Sequence, residues 1–144
     1  MMKYIISVVT IVVIVLVSAT LIFDWGRKNN SSLMDQSGEI VIDTPRVNSV
    51  IGDKVKISGK ARGSWYFEAS FPIQIQDSDG NILATSTATA ESDWMTEDFV
   101  PFSSLIMFSV PTTTSYGKIV FKNDNPSGDP VKDKFFEIPV SFSK

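Results

Sequence analysis

From Trp65 to Ile75 every odd position is apolar (Trp65, Phe67, Ala69, Phe71, Ile73, Ile75), while the even positions carry Tyr66, Glu68, Ser70, Pro72, Gln74 and Gln76. A period of two marks a β-strand with one buried and one wet face. Three large rings on the buried face need a second layer over them, because a lone sheet leaves its apolar side in water. The pattern therefore predicts a strand over 65–76 with Trp65, Phe67, Phe71, Ile73 and Ile75 in a core and Tyr66 and Glu68 facing outward.

Six further stretches read as strands: Glu39–Asp43, Val55–Arg62, Ile82–Glu91, Phe102–Val110, Tyr116–Lys122 and Lys134–Phe142. In the second of these, Val55, Ile57, Gly59 and Ala61 share the inner face and Lys56, Ser58, Lys60 and Arg62 the outer one. In the last, Phe136, Ile138, Val140 and Phe142 lie on one side. Seven short strands with regular turn signals, and no sustained helical period, predict an all-β domain over 39–144 built as an antiparallel β-sandwich.

The chain holds no cysteine and no histidine. Disulfides, thiolate zinc sites and a lipid anchor on cysteine are closed to it, as are Ser-His-Asp and Cys-His catalysis. Proton transfer would fall to carboxylates, lysines or tyrosines. A formal net charge of -3 leaves no electrostatic footprint for nucleic acid. Charge is nonetheless segregated. Residues 63–117 contain Glu68, Asp77, Asp79, Glu91, Asp93, Glu97 and Asp98 without a lysine or arginine, whereas the preceding strand carries Lys54, Lys56, Lys60 and Arg62. The plain reading is that these faces meet across neighbouring strands or are simply solvated; the sharper one is an acidic rim that prefers a cationic partner.

Residues 5–23 form an uncharged apolar run of 19 residues. At about 1.5 Å per helical residue it reaches nearly 30 Å, the thickness of a bilayer core. Trp25 follows where an interfacial ring is favoured. The length predicts an uncleaved membrane anchor over 1–25; the alternative is a signal peptide with Val17-Ser-Ala19 as its cleavage site. Lys3 precedes the run and Arg27 and Lys28 follow it, so flanking charge leaves the orientation nearly neutral. The run lacks the early glutamate of type IV pilins. Residues 26–38 are small and polar and read as a flexible tether.

Several short pieces appear together over residues 40–142: Ile57-Ser-Gly-Lys-Ala61, Trp65-Tyr-Phe-Glu-Ala-Ser-Phe-Pro72, Asp79-Gly-Asn-Ile-Leu83, Asp93-Trp-Met-Thr96, Phe99-Val-Pro-Phe102 and Asn125-Pro-Ser-Gly128. In this order they resemble the Gmad2 family, the immunoglobulin-like domain of bacterial spore germination proteins. Trp65 early in its strand agrees with the core tryptophan of immunoglobulin-like domains. The resemblance implies an immunoglobulin-like β-sandwich outside the cytoplasmic membrane, C-terminal to a single membrane pass. It implies a binding or interaction role with no catalytic residues, no cofactor and no metal to carry over.

Three constellations stand out as candidate chemistry. Asp93 and Trp94, with Met95, Phe99 and Phe102 nearby, form an aromatic loop that either displays a binding surface or closes one end of the core. Glu68 beside Tyr66 would need a second carboxylate within about 5 to 10 Å to act on a glycan; otherwise it is an ordinary surface or turn carboxylate. Asp77, Asp79 and Asn81, then Asn123, Asp124, Asn125 and Asp129, are either turn formers or partial oxygen sets for calcium, which needs six to eight ligands. The sequence thus points to a membrane-anchored interaction module whose partner is an envelope protein or glycan. Its rivals are a carboxylate-based glycan-acting envelope enzyme and a structural spacer or assembly subunit.

Overall fold

The computed structural model describes residues 32–143; the apolar run 5–23 lies outside them. Nine strands follow in order: β1 (Leu33–Met34), β2 (Ile40–Thr44), β3 (Ser49–Ile51), β4 (Lys54–Arg62), β5 (Ser70–Asp77), β6 (Ile82–Ala90), β7 (Phe99–Met107), β8 (Tyr116–Lys122) and β9 (Phe135–Phe142). Among the described residues there is no α-helix, only two single 3-10 turns, Gly63–Trp65 and Pro130–Lys132.

The strands join as one sheet in the order β1-β2-β4-β7-β6-β5-β8-β9-β3. Every pairing is antiparallel except β3 alongside β9. β6 and β7 share only two paired positions, Thr89 with Ser103 and Ala90 with Phe102. At this narrow seam the sheet curls, so that its two halves face each other. The expected pair of antiparallel sheets with seven strands is thus one curled sheet of nine, containing a parallel pair. With β2, β4 and β7 on one side and β5, β8 and β9 on the other, the order is that of an immunoglobulin-type sandwich.

Burial follows the period of two. Along β4, Val55, Ile57, Gly59 and Ala61 face inward, while Lys54, Lys56 and Lys60 are exposed. A Cβ on Gly59 would lie 2.2 Å from the Val41 carbonyl oxygen, so only glycine lets β2 and β4 approach this closely. Across the interior, Phe102 from β7 meets Phe71 from β5 edge-on at 5.0 Å and lies 6.4 Å from Phe121 of β8. Trp65, Phe71, Ile73 and Ile75 are all buried in this one cluster.

The expected strand over 65–76 is corrected at its first third. Trp65 sits on the Gly63–Trp65 turn, and Phe67 exchanges both backbone hydrogen bonds with Ser70, at 3.0 and 3.1 Å. Glu68 and Ala69, between them, adopt φ of 50° and 62°. That is a two-residue hairpin turn of the kind that usually carries Asn-Gly. It reverses the chain before β5 begins, and the apolar alternation runs through it unbroken. Phe67, expected in the core, is consequently 39% exposed, and Tyr66, expected outside, is buried. The expected tether also ends early: Leu33 and Met34 pair with Ile42 and Val41. Asp35 secures that hairpin by accepting from the amides of Glu39 and Ile40 at 2.8 and 3.1 Å.

The Trp65 ring is held by packing alone. Its ring meets Phe71 edge-on at 5.7 Å, and its indole N–H is buried without a partner. Trp65→Ala is therefore expected to cost about 3 to 5 kcal/mol, whereas Trp65→Phe, which removes no hydrogen bond, should cost markedly less. Urea unfolding of the two variants checks this; equal losses would mean that the indole nitrogen has a partner in solution.

Candidate functional site

Three connections meet at one end of the domain: the corner between β4 and β5 (63–69), the β6–β7 loop (91–98) and the β8–β9 loop (123–134). Their contacts are short and specific. The Gly63 amide donates to Asp98 O at 3.2 Å, and Arg62 donates to Glu97 O at 3.1 Å. A Cβ on Gly63 would stand 1.8 Å from Thr96 O, so the β6–β7 loop packs directly on that glycine. Asp124 donates its amide to Trp65 O at 2.9 Å, and Ala90 donates to Ala69 O at 2.9 Å. Lys134 bridges the Glu39 carboxylate at 2.7 Å and Ser64 Oγ at 3.3 Å, tying the start of β2 to the corner. In immunoglobulin variable domains the loops clustered at one end form the binding surface.

The four expected surface residues come to this end but take different roles. Tyr66 is buried; its hydroxyl donates to Val100 O at 2.7 Å and its ring lies 5.1 Å from Phe71. Burial pushes its phenol well above the usual tyrosine range, so it remains a neutral donor and structural anchor. Glu68 is exposed at the tip of the hairpin turn. Asp93 is exposed and accepts from the Met95 amide at 3.0 Å, shaping its own loop. Trp94 is half-buried and packs against the core, closing that end as much as displaying a ring.

Phe67 is the residue that periodicity misplaced. It lines a groove of about 520 Å³ between the corner and the β8–β9 loop, together with Tyr66, Asn123, Asp124, Asn125, Val131 and Lys132. Val131 is 91% exposed. Asp124 is the one carboxylate in the lining. Asn123 builds the far wall: buried itself, it donates to Lys132 O at 3.1 Å and accepts from the Lys134 amide at 2.7 Å. The groove thus offers a ring and an aliphatic side chain flanked by amide, carboxylate and ammonium groups, a surface suited to a polar chain with apolar substituents.

The turn that turns Phe67 outward is strained. A non-glycine residue in left-handed backbone costs roughly 1 to 2 kcal/mol, and strain of this kind gathers at functional positions. Ala69→Gly should relieve it and stabilise the domain by about 1 kcal/mol; a melting temperature that stays put or falls would show that Ala69 is not left-handed in solution.

The two oxygen-rich turns are occupied by their own N–H groups. Asp77, buried at the end of β5, accepts from the amides of Asp79 and Asn81 at 3.0 and 2.8 Å and from the Asn81 side chain at 2.9 Å. In the other turn Asn125 donates to Asp129 O at 2.8 Å and to the Asp133 carboxylate at 2.9 Å. Among the described residues no three acidic side chains converge as a metal site would need. The Asn81 side chain first, and then the backbone amides, hold the Asp77 carboxyl below its usual range; Asn125 and Lys122 do the same for Asp133. A carboxyl lowered by folding contributes stability above the unfolded range near pH 4 and loses it as pH falls through the folded value. Acid titration of the melting temperature should therefore show a steep decline below about pH 4, and Asp77→Ala should start lower at pH 7 with a shallower acid limb. Parallel acid limbs in the two proteins would remove Asp77 from this account.

No curated protein matches the chain. The family model described as Gmad2, the immunoglobulin-like domain of bacterial spore germination, matches residues 39–129. That span runs from the start of β2 into the β8–β9 loop and so includes the Trp65–Ser70 corner, the Trp94 loop and Asn123–Asn125. A nine-stranded immunoglobulin-like domain with this span matched identifies the chain as a member of the Gmad2 family.

Proposed function

We propose that this protein is a membrane-anchored interaction module of the bacterial cell envelope. Its Gmad2 domain would stand outside the cytoplasmic membrane and bind an envelope protein or glycan without catalysis. The observation that carries the reading is the loop end: a rigid all-β core presents an open groove whose half-exposed Phe67 is turned outward by a strained turn. A core knitted by packing, with loops free to vary over it, is the usual arrangement of a binding domain. The groove lining, with Asp124 as its single carboxylate, lacks the facing pair that a glycan-cleaving enzyme needs. Anchoring rests on the 19-residue apolar run at 5–23, and the external orientation on family membership. The family's link to germination makes a spore or envelope role the first place to look.

The test uses the full chain expressed in its native envelope. Intact mass of membrane-fraction protein should show the N-terminal run retained, and affinity capture should recover a partner that Phe67→Ala reduces tenfold or more, in line with loss of one central aromatic anchor. A soluble species beginning near Thr20, or capture indifferent to both Phe67→Ala and Val131→Asp, would overturn anchoring and groove respectively.

A further inference from the structure

Lys54, Lys56, Lys60 and Arg62 project from the outer face of β4. The register sets Met107, Leu105, Pro101 and Phe99 of β7 directly beside them, one for one. Lys60 and Arg62 lie over the Phe99 ring, at 5.2 and 4.3 Å from its centroid. The ion pairs among the described residues use Lys118, Lys122 and Lys134, and none uses this row. Leu105 is 53% and Met107 73% exposed. A row of cations without an ion-pair partner among the described residues and a row of apolar side chains, exposed at Leu105 and Met107, therefore share one face of a protein whose net charge is -3.

Charge complementarity calls for a negative partner, and the apolar row narrows its chemistry. A soluble polyanion would satisfy the cations and leave Leu105 and Met107 in water. The surface of an anionic bilayer satisfies both, since phosphates meet the ammonium groups while the aliphatic side chains enter the headgroup layer. Lysine and arginine stems can lie along apolar surface with their heads at the phosphates. The acidic remainder of the chain is repelled by the same surface, so the field both attracts this face and orients the domain.

We propose that the outer β4–β7 face rests on an anionic lipid surface, with Leu105 and Met107 at the headgroup level and the Lys54–Arg62 row on the phosphates. The inference rests on the anchored reading and adds an orientation to it. The groove, lined from the corner and the β8–β9 loop, belongs largely to the other half of the sheet and stays open to a partner in this pose.

The chain has no cysteine, so a single polarity-sensitive label can be placed at will. Full-length protein carrying Met107→Cys is reconstituted in phosphatidylcholine vesicles with or without phosphatidylglycerol; Tyr116→Cys, 68% exposed on β8, is the control. The Met107 label should shift to the blue only in the anionic vesicles, and the shift should vanish at about 1 M salt, where screening is complete within a few ångströms. Lys54→Glu/Lys56→Glu/Lys60→Glu should abolish it, and the salt arm gives the same reading in the unaltered basic row should that variant fold poorly. The Tyr116 label should not respond. Identical Met107 spectra in the two lipids, or a shift that survives both salt and charge reversal, would overturn the proposal. Protein that washes off neutral vesicles in alkaline carbonate would sink the anchor instead, while salt-reversible association with anionic vesicles alone would still support the face.

Discussion

Everything else in this domain hangs on the line of rings Phe71–Phe102–Phe121, edge-on at its first contact and tilted at its second, which joins one half of the curled sheet to the other. Without cysteine there is no covalent tie between the halves, and the β6–β7 seam holds them by only two paired positions. Dispersion and burial must therefore supply the closure. Rings suit this task because each buries a large area and locks its neighbours at definite angles. Trp65 and Tyr66 extend the line to the loop end, both packing on Phe71.

From that anchor the loop end inherits its rigidity. The Tyr66 hydroxyl reaches Val100 O, the Trp65 carbonyl receives the Asp124 amide, and Gly63 leaves room for Thr96 O. The β6–β7 and β8–β9 loops are thereby fastened to one corner, and the large apolar side chains that this end leaves exposed are Phe67, Met95 and Val131. Strain is spent on this corner, in two consecutive left-handed residues with side chains, and a surface-exposed ring is what it places. The side chains of the oxygen-rich turns serve the same end, since Asp77, Asn123 and Asn125 act as caps for neighbouring N–H and C=O groups.

Electrostatics is arranged by strand. The plain reading of the charge segregation expected basic and acidic faces to meet across neighbouring strands or to be simply solvated. Of these two outcomes the structure shows the second: the basic row of β4 lies exposed beside the uncharged outer row of β7 and enters none of the ion pairs found among the described residues. Acidic residues gather mostly in turns and in the β6–β7 loop. The domain is thus polarised: one sheet face is basic and apolar, and the loop end is mixed.

What the sequence by itself determined is the class of fold and most of its core. A period of two survives any change of tertiary context, because side chains on a strand must alternate, and the β4, β5 and β9 patterns were legible for that reason. The absence of cysteine and histidine likewise bounds the chemistry whatever the fold. Only the tertiary structure decided where the alternation is interrupted. Glu68 and Ala69 carry no turn signal, since left-handed backbone is usually marked by glycine or asparagine, so the Phe67–Ser70 reversal was hidden inside an unbroken pattern. That reversal exchanged the places of Tyr66 and Phe67 and with them the identity of the groove residue. β1 and β3 were invisible for a related reason: at two and three residues they are too short to show a period and exist through pairing with β2 and β9. Pairing between distant strands is likewise what sets Leu105 and Met107 beside lysines some fifty residues away, a neighbourhood that no local pattern encodes.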